Sequence, residues 1–171
     1  MKATELLTQQ HAVIRDLFRQ LDASSGLAAK AQVLQTLATN WVGHDAVERH
    51  IFYPACELRF TDKRRINVAL VEHGLVEFCL YQAVQAISGK EGESSDFEGK
   101  CEVLQQVVER HMADEELHLF AEFALVAEEG AQERMARELR ELFREAILGD
   151  FQNALRANLQ QVLVGIVRTS S

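Results

Sequence analysis

Apolar positions recur along most of the chain at alternating steps of three and four, the spacing of one buried helix face. The first such segment runs from about Thr4 to Leu21, with Leu7, His11, Ile14, Phe18 and Leu21 on its stripe and Thr4 as its N-cap. The second, about Leu27 to Tyr53, has the stripe Leu37, Trp41, His44, Glu48, Ile51 and on to Ala55. Pro54 has no N–H for an interior turn and is expected to end or kink that helix. A third segment, about Lys63 to Ile87, carries Ile66, Leu70, His73, Glu77, Leu80, Val84 and Ile87. The fourth reaches about Ala127 with Phe97, Cys101, Leu104, Val108, His111, Glu115 and His118. Short polar loops make successive helices antiparallel, so the predicted fold is all-α, an up-down-up-down antiparallel four-helix bundle.

Beyond Gly130 two more stripes follow, Met135, Leu139, Leu142 and Phe143, then Phe151, Leu155, Leu159, Val162 and Ile166. They predict one or two appended C-terminal helices that either cover the bundle or pair with a second copy in a homodimer. The division expected is a bundle over 1–130 and a helical extension over 131–171. With 171 residues and 47% apolar content, the bundle can bury a sizeable core, and a single proline with nine glycines favours long helices.

Charge and cysteines narrow the function. A net charge of −8 argues against nucleic-acid or acidic-membrane surfaces. Cys56, Cys79 and Cys101 are scattered, without a C-x-x-C pair, as expected of reduced thiols in a cytoplasmic protein. No stretch approaches the roughly 18 uninterrupted apolar residues of a membrane helix, and no phosphate-binding glycine loop or hydrolytic triad order is present.

The chemistry lies where polar residues interrupt the stripes. HDAVERHIFYP, from His44, and HMADEELHLFA, from His111, form an internal repeat: histidine, three residues, glutamate, then an aromatic-rich patch. His11 and His73 occupy the same seam on the other two helices, and Glu77 follows His73 by one turn. Buried carboxylates are costly unless paired, protonated or bound to a cation. At about 1.5 Å per residue the four histidines fall within about two or three turns of one bundle end. Residues i and i+4 share a helix face, so each His-Glu pair turns an imidazole and a carboxylate toward one interior point. Imidazole with carboxylate and no thiolate favours iron, manganese or zinc. His118 is expected as a hydrogen-bonded core histidine, His50 as solvent-facing, Glu116 on a solvated acidic face, and Trp41, Phe52, Tyr53 and Phe120 as packing beside the seam.

These residues resemble the hemerythrin-like (HHE cation-binding) family over roughly Leu6 to Phe123, through the doubled H-x-x-x-E with its aromatic patch, His11 and the Glu72-His73 pair. The resemblance implies a non-haem di-iron centre, two iron ions inside the bundle. His11 and His44 would hold one iron, His73 and His111 the other, and Glu48 and Glu115 would bridge them. Glu77 stands where oxygen-carrying members have a second histidine on the third helix, and the fourth-helix carboxylate is a glutamate at i+4 instead of an aspartate at i+5. An anionic ligand at Glu77 would favour ferric iron and sets simple oxygen carriage against sensing, peroxide chemistry or iron handling. The implied partner is a small diatomic ligand, oxygen or nitric oxide, or peroxide. A ferritin-like oxidase would need Glu-x-x-His on two helices, and only Glu115 to His118 fits that pattern. An interaction module with a structural metal is the remaining alternative.

Overall fold

The computed structural model describes residues 1–89 and 95–168, the residues from 161 onward as backbone only. Among the described residues the chain is helical and has no strand. Helix α1 spans Ala3–Ala23. Its first turn is closed by Glu5, whose Oε2 accepts the Lys2 N–H at 2.9 Å. The helix therefore begins ahead of Thr4, which lies inside the first turn and is not the N-cap. Gly26, at φ +84°, occupies the left-handed side open to glycine and turns the chain into α2, Leu27–Val47.

Pro54 does not end the second rod. A π-helical turn, Glu48–Phe52, follows α2, and α3, Tyr53–Glu57, continues beyond it. The Tyr53 N–H bonds the carbonyl of Glu48, five residues back. Pro54 sits in the first turn of α3, where the regular i→i−4 ladder is already interrupted and its missing N–H costs little. Helix α4, Arg64–Ser88, forms the third rod. The fourth repeats the second: α5, Ser95–Asp114, a π-helical turn Glu115–Leu119, then α6, Phe120–Val126. Each π turn starts at the glutamate of a repeated His-x-x-x-Glu.

The extra residue in each π turn shifts everything after it by about 100° around the axis. Phe52, Tyr53 and Cys56 therefore point inward in place of Ile51 and Ala55. On the fourth rod Leu119, Phe120 and Phe123 are buried, while His118 is turned outward, 36% exposed and 3.6 Å from Asp114. The core position expected for His118 is corrected by this one-residue offset.

Side chains bury into two apolar clusters. One gathers Ile14, Phe18, Leu37, Trp41, Leu80 and Leu104, the other Leu7, Val47, Phe52, Ile66, Leu119 and Phe123. The starts of α1 and α4 thus share a cluster with the ends of the second and fourth rods. Along the first three rods the seam histidine falls between the two clusters, and on the fourth His111 stands at their border, next to Met112 of the first. Helix α7, Glu129–Leu148, lies across α2 and α1, and α8, Phe151–Arg168, lies along α4 and α2. Gly43 sets the approach of α7: a Cβ there would stand 2.7 Å from Ile147 and 2.8 Å from Phe143.

Candidate metal centre

The layer between the clusters is polar and buried. His11, His44, His73, His111 and Glu48 are fully buried, and Glu115 and Glu77 are 1% exposed. Each imidazole is anchored through Nδ1 to an oxygen on another helix. His11 bonds Glu116 at 2.8 Å, His44 bonds Gln10 at 2.9 Å, His111 bonds Glu72 at 3.2 Å, and His73 bonds Asp45. Every one of those partners is an acceptor, so Nδ1 carries the proton and orients the ring.

The other ring nitrogens converge. Nε2 of His11 lies 3.1 Å from Nε2 of His44, and Nε2 of His73 lies 3.1 Å from Nε2 of His111. Nitrogens about 2.1 Å from a common cation and about a right angle apart would stand about 3 Å from each other, and without a cation one ring of each pair must carry a second proton to bridge that distance. Glu48 Oε2 is 3.2 Å from His44 Nε2 and 3.1 Å from His73 Nε2. Glu115 Oε2 is 3.4 Å from His11 Nε2 and 3.2 Å from His111 Nε2. Each carboxylate therefore reaches one imidazole of each pair. The ligand atoms fall into two groups, His11, His44, Glu48 and Glu115, and Glu48, His73 and His111. Glu48 Oε1 and Glu115 Oε2 are buried with no hydrogen-bond partner, as expected of oxygens shaped for a cation. The residues fit a bound metal.

Electrostatics agree with that fit. Burial would raise the Glu48 carboxyl, but the imidazoles of His44, His111 and His73 gathered around it hold it well below the usual range. Burial and the Glu48 charge also push Glu115 up, and His111 and His11 outweigh them, holding it down at about 2. Burial alone would lower the imidazoles, and it prevails at His44; the surrounding carboxylates outweigh it at His11, His73 and His111. Without a metal the anions are balanced by protons on imidazole, which a cation would displace.

Tyr53 completes the centre. Its hydroxyl oxygen is 2.8 Å from Glu115 Oε1, 3.0 Å from Glu48 Oε2 and 2.8 Å from His73 Nε2. Burial and the charges of Glu115 and Glu48 raise its pKa well above that of an ordinary phenol, so it keeps its proton. Trp41 walls one side, its ring centroid 5.2 Å from that of His73, and Phe120 stacks on His11 at 5.3 Å.

Six of the seven candidate ligands come together. Glu77 is placed elsewhere: its Oε1 accepts from Asn158 at 2.6 Å and its Oε2 lies 3.6 Å from Arg49. The start of α4 meets the ends of the second and fourth rods, so one turn onward from His73 leads away from the carboxylate level. Burial and the Asp45 charge, set against Arg49 and Asn158, push Glu77 up to about 7. Glu116 is not merely part of a solvated face, because it holds His11 and accepts from Arg15 at 2.9 Å. His50 is exposed, as expected. Tyr53, Asp45 and Gln10 were not legible as site residues; only the aromatic patch after Glu48 hinted at Tyr53.

An all-helical chain with a buried four-histidine, two-glutamate cluster between its helices defines a protein able to bind metal inside a helical core. The hemerythrin HHE cation-binding domain model matches residues 2–123, and the chain belongs to that family. Comparisons with curated proteins and with solved structures gave no match. Among the described residues, no helix is long and apolar enough to cross a membrane.

Proposed function

We propose that this chain is a non-haem di-iron protein that binds or senses a small ligand, oxygen, nitric oxide or peroxide. The observation that carries this reading is the pair of buried carboxylates, each with an unpartnered oxygen and each within reach of both histidine pairs. His11 with His44 and His73 with His111 would each hold one ion, and Glu48 and Glu115 would bridge, in helices running up-down-up-down. Iron supplies open coordination positions and a one-electron change of charge. The chain supplies the rest. Four Nδ1 anchors fix the imidazoles, the apolar clusters exclude water, and Tyr53 holds a proton at its hydroxyl beside both carboxylates. Glu77, bonded to Asn158 and close to Arg49, tunes charge from outside the ligand set. Three unpaired cysteines fit a reducing compartment such as the cytoplasm.

The test is reconstitution with ferrous iron under anaerobic conditions. Uptake should approach two irons per chain, and nitric oxide added to the ferrous protein should produce a new visible absorption. A stoichiometry held at one would remove the bridging roles. Full uptake with no response to nitric oxide, oxygen or peroxide would leave a structural metal instead.

A further inference from the structure

Helix α8 lies beyond the matched family region, yet one of its side chains reaches the edge of the centre. Asn158 Nδ2 lies 2.6 Å from Glu77 Oε1 and 3.3 Å from Asp45 Oδ2. The other oxygen of Asp45 bonds His73 Nδ1 and accepts from Arg49 Nε. Two carboxylates thus share one guanidinium beside the middle of α8, and Glu77 Oε2 has no hydrogen bond of its own. We propose that Asn158 is a positioning residue through which the docking of α8 sets the grip of His73 on a bound metal. The inference rests on the metal-centre reading above.

The physical chain is short. A histidine ligand is oriented by whatever its second nitrogen bonds. Asp45 can hold His73 only while its own carboxylate is fixed, and Asn158 bonds the oxygen that His73 leaves free. The side-chain amide also places a donor, not a further anion, between two buried carboxylates. If α8 leaves, Asp45 and Glu77 meet water, and Asp45 loses the contact on its second oxygen and keeps only Arg49 and His73 on the first. Linkage makes the effect reciprocal: whatever α8 adds to metal affinity, bound metal adds to the docking of α8. A signal could therefore pass between the centre and the molecular surface along α8. None of the other three Nδ1 anchors, Glu116, Gln10 and Glu72, lies on an appended helix.

The full chain loaded with cobalt(II) tests this. Cobalt release into excess chelator is compared for the unchanged protein, Asn158→Ala, Asn158→Asp and Asn153→Ala, the last at an exposed position of the same helix. Alanine is the best helix former, so neither alanine substitution weakens α8 itself. Release should quicken about fivefold or more in Asn158→Ala, the low end of a measurable coupling. It should quicken further in Asn158→Asp, where a third carboxylate meets Asp45 and Glu77, and stay unchanged in Asn153→Ala. The paramagnetically shifted imidazole N–H signals give an independent readout: that of His73 should move or exchange faster with solvent in Asn158→Ala, while the other three hold. Equal release rates and unchanged signals in all variants would overturn the role of Asn158 alone, as would equal quickening by Asn153→Ala. Failure of the unchanged protein to take up cobalt would overturn the metal centre and this inference with it.

Discussion

Glu77 and Tyr53 show how neighbouring groups divide the labour of one polar layer. Glu77 is a buried carboxyl raised from 4.5 to about 7 by burial and Asp45. A carboxyl whose folded pKa exceeds its unfolded value costs stability as pH rises through that interval, because the native state binds the proton more tightly. In metal-free protein, Glu77→Gln should match the unchanged chain near pH 4.5 and exceed it by about 1–3 kcal/mol above pH 7, read by urea unfolding across that range. A gap independent of pH would show that Glu77 titrates alike in the folded and unfolded chain. Tyr53→Phe removes the donor shared by Glu115 and Glu48. The metal-free chain should lose about 1–2 kcal/mol, since buried acceptors are left unmet. The loss should shrink once iron is loaded, because the carboxylates then face a cation. Equal losses in both states would place the phenol's role in packing.

At the scale of elements, Gly43 and the two π turns matter most. Gly43→Ala would drive a methyl group into Phe143 and Ile147, which are themselves half-buried. Overpacking of this kind costs about 1–3 kcal/mol and should appear as a lower melting temperature. Adding Phe143→Ala should recover part of it, and additive losses would mean that α7 does not cross there. The rods and their stripes were legible in the sequence because each buries one face at a regular step, and all six converging candidate ligands sit on that step. The π turns were not legible. One extra residue leaves composition and local periodicity almost untouched, yet it decides that Phe52 and Leu119 face inward while Ile51 and His118 turn away. Glu77 has the same spacing from His73 as Glu48 has from His44, and only helix direction tells them apart. Asp45, Gln10 and Glu116 act across helices, through contacts that no spacing along one helix encodes.

For the whole molecule, a metal bound only by the native state adds stability by mass action, about 2.7 kcal/mol when free metal is a hundred times its dissociation constant. The iron-loaded chain should melt well above the chelated one, and superimposed melting curves would exclude a site in the core. The position of the layer has a second consequence. It separates one apolar cluster, which α8 covers through Leu155, from the other, which α7 covers through Leu139. Each half has its own outer helix, and the rods and the polar seam run between them. An empty seam transmits less cooperativity than packed hydrocarbon, so the chelated chain should not unfold as a single unit. Its calorimetric enthalpy should exceed the van't Hoff value, and metal should bring the two together. The cation would then act as a keystone as much as a reactive centre, making one domain of two halves.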